Sequence, residues 1–424
     1  MSTIRIHGPI LLLLLAVTFV FFGRLLDTQI HDGVDAAILC DAHALNQDPS
    51  AVFSHLGFYF SQPLLEMAFL LEYRAFGLDP TGYIAVNLTI HALNAFVVYM
   101  LVNMLFPHGR IALLASLLFA LGVGSYGKVF MNIHQLESLL LANLQLLVLY
   151  FFIRNDFRRG GQLGSPLFIV GLTLFLMTGL TKTASLSLLS CLLAYKAFFY
   201  RVRSRRRILS WDLLVFIAVG VLYYIAQYEW GFRQASVFAN LESGTHFTWM
   251  SFKNIFRYLN LMFFPMQTSP LLEEAPFWVV WVYEARTVIR VFLALAIISY
   301  SFFGFVFGSR AIRFFIAWTY LTLLPFTGLT ETGGWLNLNH LYLTSVGFCI
   351  ILAAGTRGTS NLLVKAGRRR FVPFAVPVVF VMISLGISQE LHEQNQRKAN
   401  QPEAVALRES LRESCDRQDG PDDA

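Results

Sequence analysis

Apolar stretches of roughly 20 residues, each long enough to cross ~30 Å of hydrocarbon, recur in this chain from its N-terminus almost to residue 388. With 56% hydrophobic and only 14% charged residues, the chain carries far more apolar surface than one water-soluble globule can bury. The bilayer is therefore expected to be its main solvent. The spacing predicts an all-α polytopic membrane protein of about eleven membrane-spanning helices. The predicted spans are Pro9 to Leu26, Gly82 to Phe106, Ile111 to Tyr126, His134 to Ile153, Ser165 to Leu180, Thr183 to Tyr200, Trp211 to Tyr228, Thr287 to Phe307, Ile312 to Gly328, Leu341 to Thr356 and Phe371 to Ser388. The first has a leucine run with no small-residue cleavage site behind it and reads as a retained anchor, not a signal peptide.

Arginines set the orientation. They fall at Arg110, at Arg154 with Arg158 and Arg159, from Arg201 to Arg207, at Arg310 with Arg313, and from Arg357 to Arg370. Counting spans puts all these loops on one side, which the positive-inside rule makes the cytoplasm. The N-terminus is then inside and the C-terminus outside. A formal net charge of +6 does not point to nucleic acid, because the basic residues sit in loops and not along one face of a soluble domain. Phe252 to Pro265 is apolar but too short to span without moving later basic loops outside, so it reads as an interfacial or re-entrant helix.

On this reading residues 1–388 form the transmembrane domain, and two large outer loops cover 27–81 and 229–286, the first of them helical. Short outer loops fall near Lys128, Lys182 and Glu331 to His340. Residues 389–424 form a charged tail, helical at first and then disordered and acidic. The four cysteines form neither a disulfide framework nor a zinc spacing. No inverted repeat of the transporter kind and no nucleotide-binding glycine loop is present.

The chemistry concentrates on the outer side. The first outer loop carries Asp27, Asp32, Asp35, Asp41 and Asp48 before its first cation, Arg74. A helix from Val34 to Leu45 places Asp32 and Asp35 near its start, where the helix dipole favours the ionised carboxylate. Such a group takes a proton from a hydroxyl or holds a metal; it also serves simply as a cap or solvated loop residue. In NLTIHALNA, Asn87, His91 and Asn94 share one helix face and are expected to turn away from lipid, into interhelical hydrogen bonds or a wet cavity. Asn87 lies in a glycosylation sequon, but inside a span, where it is not modified. Glu137 and Lys182 are further charges near the outer surface, each needing a partner or water. Lys182, at a tight hairpin, fits either snorkelling or phosphate binding.

The order of these pieces resembles a known family. QPLLEMAFLLEYRAFGLDPTGYIAVNLTIHALNAFVVYMLVNMLF is similar to the pattern of GT-C membrane glycosyltransferases, in particular the dolichyl-phosphate-mannose-dependent O-mannosyltransferases with TPR tails and their bacterial relatives. GLTKTASLSLLSCLLAY resembles that family's lysine hairpin, RYLNLMFFPMQTSP its outer amphipathic helix, and LPFTGLTETGGWLNLNHLYLTSVGFCIILA its late Tyr-Leu-Tyr segment. The matches run through residues 20–355.

The resemblance implies an enzyme that takes a sugar from a polyprenyl phosphate and gives it to a protein or glycan acceptor on the outer face. Asp32, with Asp35 close by, matches the family's acidic residue, the general base of an inverting transfer whose phosphate leaving group needs little acid help. No cofactor is implied and no obligatory metal, although a divalent ion is compatible with the carboxylates. Asn87 and His91 match the family's Asn and His, and Lys182 its phosphate-facing lysine. The chain departs from the pattern at three places: Gln62 stands before Pro63 where the family has arginine, Thr183 replaces an acid, and His340 replaces an arginine. His340 when protonated, or Arg257 or Arg286, can take over the phosphate contact. The TPR repeats are absent. The alternatives are a transporter or flippase of a lipid-linked or anionic solute, a catalytically silent scaffold, and a polymerase or ligase of surface polysaccharides. Arginine-rich loops without a plausible lumenal sequon point to a bacterial inner membrane.

Overall fold

A computed structural model describes residues 2–30, 33–53, 62–106, 109–122, 129–181, 187–199, 210–229, 249–263, 286–328, 336, 338–367 and 371–418. Outside them lie Asp32, Lys128, Lys182, Thr183, the Arg201 to Arg207 loop, most of the second outer loop and the acidic end of the tail.

Helices α1 (Ser2–Phe22), α2 (Gly33–Gln47), α3 (Pro63–Phe76), α4 (Pro80–Leu105), α5 (Gly109–Leu121), α6 (Leu136–Arg159), α7 (Pro166–Gly179) and α8 (Ser187–Phe199) form the first half. In the second half, α9 (Trp211–Glu229), α10 (Trp249–Phe263), α11 (Arg286–Phe307), α12 (Arg310–Leu323), α13 (Leu341–Lys365), α14 (Ala375–Ala399) and α15 (Pro402–Gln418) follow. No strand occurs among the described residues.

Each expected span has a helical counterpart. Five helical segments among the described residues are long and apolar enough to cross a bilayer: His7–Asp27, Pro80–Leu105, Ile133–Arg159, Leu338–Lys365 and Val372–Ala399. Five further apolar helices, including Gly109–Leu121 and Ser187–Phe199, cover 10–17 described residues each. The protein is an integral membrane protein, with five such long helices among the described residues. Large apolar side chains face outward, as lipid requires: Val20 is 78% exposed and Phe307 76%.

Local chemistry sets the turns. Gly160 ends α6 in the left-handed region (φ 64°), and Ser165 opens α7 by accepting the Phe168 N–H at 3.1 Å. The Ser165 hydroxyl donates to Asn155 Oδ1 at 2.5 Å, which closes the α6 to α7 hairpin. At Gly347 a Cβ would meet Thr319 Oγ1 at 2.4 Å, so α12 and α13 approach as closely as only glycine allows.

At the arginine-loop end, Lys196 of α8 donates to Asp156 of α6 at 2.9 Å and to Asp212 of α9 at 2.8 Å. Tyr195 donates to the other Asp156 oxygen at 3.0 Å. This buried triad joins three helices.

The opposite end carries a second apolar core. Ile38 and Leu39 of α2, Leu65 and Phe69 of α3, Tyr83 of α4, Leu136 of α6 and Leu411 of α15 pack together. Arg408 of α15 donates to the Ile30 carbonyl at 2.9 Å, and Gln396 of α14 to the Asp27 carbonyl at 3.0 Å. Helix α14 runs unbroken across residue 388, and the tail helix folds back onto the first loop.

Within α3, Glu72 is 7% exposed and neither carboxyl oxygen has a hydrogen-bond partner. Burial pushes its pKa from 4.5 up to about 8. The folded protein thus keeps the Glu72 proton over a window in which the unfolded chain has released it, so stability falls as pH rises from about 4.5 towards 8. Glu72→Gln should flatten that decline, read as thermal unfolding against pH in nanodiscs; an unchanged pH profile would remove Glu72 as its source.

Candidate functional site

The site is built where α1 ends and α4 and α6 begin. Asp35, 3% exposed in the first turns of α2, accepts three hydrogen bonds from the chain just before α6. They come from the Ile133 N–H at 3.2 Å, the His134 N–H at 3.0 Å and His134 Nδ1 at 2.7 Å. Ile133–Gln135 is a 3-10 turn opening α6, so a carboxylate meets exposed N–H groups at the positive end of a helix. Asp35 thereby anchors the first loop to α6 and has little acceptor capacity left for a substrate proton. His134 is 22% exposed at its side chain and pairs through Nε2 with Gln135 at 2.6 Å.

One residue before that turn, the Asn132 carbonyl accepts from Asn87 Nδ2 at 3.1 Å. One helix turn along α4, His91 Nδ1 meets the Tyr342 hydroxyl at 2.8 Å and Nε2 the Ala120 carbonyl at 3.0 Å. Asn94 donates to the Leu139 carbonyl at 3.1 Å and to the Tyr342 hydroxyl at 3.0 Å, and accepts from Asn143 at 2.9 Å. Asn87, His91 and Asn94 are each at most 1% exposed. The three therefore face other helices, as their spacing predicts, because an unpaired polar group in hydrocarbon costs several kcal/mol.

Tyr342 carries the network into the late segment. Two residues before it, His340 stacks on Phe326 with ring centroids 4.2 Å apart and pairs through Nδ1 with the Tyr258 hydroxyl at 3.1 Å. Tyr258 lies on α10 beside Arg257, which donates to Asn254 Oδ1 at 3.1 Å; Asn254 in turn donates to the Thr327 carbonyl at 2.9 Å. The amphipathic α10 and His340, separated by more than eighty residues, are thus one cluster.

Gln62 precedes Pro63 at the start of α3; its Oε1 is buried and has no hydrogen-bond partner. Glu137 lies half-buried in the first turn of α6. Asp32 and Lys182 lie outside the described residues, as does the position of Thr183. A cavity of about 350 Å³ opens beneath the first loop, lined by Asp27, Thr28, Gln29, Asp79 and Arg408 among others. Asp35 is not in its wall. Sequence reasoning missed His134, three residues before Glu137, and Tyr342, since neither belongs to a polar periodicity on its own helix.

Among solved structures, the chain is similar to the archaeal oligosaccharyltransferase AglB from Archaeoglobus fulgidus in complex with an inhibitory peptide and a dolichol-phosphate. The TM-score is 0.52 at 12% identity, over 96% of this chain and 59% of that one. The same organism's oligosaccharyltransferase in its apo form matches with a TM-score of 0.48 at 12% identity, over 96% of this chain and 59% of that one. Its form tethered to an acceptor peptide gives 0.46 at 12% identity, over 97% and 59%. The fold assignment rests on the first. This chain spans less than two thirds of the length of these enzymes. The sequence matches no protein-family model and no curated protein. The fold is that of the GT-C membrane glycosyltransferases.

Proposed function

We propose that this protein transfers a sugar from a polyprenyl-phosphate-linked donor to a protein or glycan acceptor on the non-cytoplasmic face of a bacterial inner membrane. The observation that carries the reading is a pair of buried polar clusters one turn of α4 apart: Asp35 on the Ile133 to His134 turn with Asn87 on the adjoining Asn132 carbonyl, and His91 with Asn94 on Tyr342, two residues after His340. Together they tie the first loop, the second span and the late segment together at one end of the bundle. In this reading the end of the bundle that carries Arg154, Arg158 and Arg159 is cytoplasmic by the positive-inside rule, with the N-terminus inside and the C-terminus outside.

In this reading Asp32 is the general base. It removes the proton of the acceptor hydroxyl as the acceptor oxygen bonds to the sugar C1 and the bond from C1 to the phosphate oxygen breaks, releasing polyprenyl phosphate. Asp35 holds the loop that presents Asp32. Lys182 and His340 steer the donor phosphate, with Arg257 near His340. His91 and Asn87 act as positioning residues through Tyr342 and Asn132. Gln62 offers its unpartnered amide oxygen to a sugar hydroxyl, and Glu137, in the first turn of α6, lines the donor site beside the His134 turn. A catalytically silent relative is the second reading, favoured by Gln62 and Thr183 where the resembled family has charged residues.

The experiment is sugar transfer from a purified polyprenyl-phosphate donor in nanodiscs. His340→Ala should raise the donor KM by about tenfold while kcat stays within about twofold, because a phosphate contact made equally in ground and transition states is lost. An unchanged KM would take His340 out of the donor site.

A further inference from the structure

A second cavity lies at the opposite end of the bundle, between the start of α1 and the ends of α4 and α6. Its volume is about 590 Å³, and its wall is mainly apolar, with Leu11, Phe96, Met100 and Phe157 among its residues. The charged residues lining it are Arg154 and Arg158, and no carboxylate does. Arg154 is half-buried, lying over the Tyr150 ring at 5.4 Å and hydrogen-bonded to the Tyr150 hydroxyl. Arg158 is exposed at the rim beside Phe157, itself 51% exposed.

Two further observations mark the groove as a binding site. His7 Nδ1 is buried at its wall with no hydrogen-bond partner. Gly8 also lines it, and a Cβ there would meet nothing within 4 Å, so the space in front of α1 is open and not merely loosely packed. Two guanidiniums at the mouth of an apolar slot match a phosphate joined to a hydrocarbon chain, whereas a free phosphate would leave the slot empty. The nearby Asp156 is bound by Lys196 and Tyr195 and is not among the residues lining the cavity.

We propose that this groove holds one anionic phospholipid from the leaflet on the arginine-loop side. Its phosphate lies against Arg154 and Arg158, with His7 as a third polar contact, and one acyl chain runs along Leu11 and Met100. The site is separate from the proposed transfer site and stands whether or not the protein is an enzyme.

Native mass spectrometry of the full chain tests it, with palmitoyl-oleoyl phosphatidylglycerol and phosphatidylcholine as the matched lipids. Phosphatidylglycerol should be retained about tenfold more strongly, the preference expected of two arginines at a membrane surface. The Arg154→Gln/Arg158→Gln double variant should bring the ratio close to one, and Arg154→Lys with Arg158→Lys should keep most of it. Gly8→Leu, which points into open space and spares the fold, should lower phosphatidylglycerol retention without touching either arginine. Equal retention of the two lipids by the parent, or a ratio unchanged in both the double variant and Gly8→Leu, would overturn the proposal. Displacement of the lipid by millimolar inorganic phosphate alone would overturn the lipid as its occupant.

Discussion

Asp32→Asn is expected to slow sugar transfer by roughly 100 to 10,000 times while donor binding survives, the range found when a positioned general base is removed. The asparagine keeps the size of the side chain and loses the proton acceptor, so kcat should fall and the donor KM should hold. Asp35 makes the informative contrast. Its carboxylate already accepts from Ile133, from the His134 backbone and from the His134 ring, so Asp35→Asn would turn an amide NH2 towards N–H donors. The expected result is a loss of about 2–3 kcal/mol in stability, the value of hydrogen bonds to a buried charged group, with transfer slowed only as far as the loop is displaced. Thermal unfolding and single-turnover transfer on both variants separate the two roles. A large rate loss in Asp35→Asn with unchanged stability, and none in Asp32→Asn, would exchange the assignments.

Lys196→Met is expected to destabilise the fold by about 3–5 kcal/mol, the cost of leaving a buried ion pair without one partner. Two carboxylates, Asp156 at 11% and Asp212 at 0% side-chain exposure, would remain in one apolar pocket with no cation between them. Methionine fills the lysine volume against Phe152, whose ring centre lies 4.9 Å from Nζ, so the loss would be electrostatic and not a cavity effect. The triple variant Lys196→Met with Asp156→Asn and Asp212→Asn should recover most of the stability, since removing a whole buried cluster is often neutral. Unfolding temperatures in nanodiscs read both. A Lys196→Met protein as stable as the parent would show that the triad does not hold α6, α8 and α9 together.

The helices and their order were legible because a long apolar run constrains its own conformation and solvent at once. The Asn87, His91 and Asn94 face was legible for the same reason: a polar stripe on an apolar helix must turn inward wherever its partners are. His340 and the amphipathic α10 were legible as separate pieces, while their meeting through Tyr258 was not. Pairings between residues far apart in the chain were hidden. Lys196 looks like a charge near the end of a span, Asp212 like the opening of another and Asp156 like part of a basic loop, yet they form one cluster across 40 and 16 residues. Asp35 read equally well as base or cap; its partners come from a turn 98 residues on. The docking of α15 onto α2 was likewise invisible, since charge alternation in the tail predicts a solvated helix and gives no sign that Leu407 and Leu411 find an apolar surface. Each of the expected crossings has a helix within it, and five of these helices are long and apolar enough to span a bilayer over the described residues alone.

The most direct test of the account is whether the purified protein, in nanodiscs with a polyprenyl-phosphate-linked sugar and candidate protein or glycan acceptors, releases free polyprenyl phosphate as it glycosylates. The account predicts one polyprenyl phosphate released for each sugar transferred, with both products formed roughly 100 to 10,000 times more slowly in Asp32→Asn. Failure of the folded parent protein to turn over any donor, with Asp32→Asn indistinguishable from it, would contradict the account and leave the silent GT-C-fold scaffold.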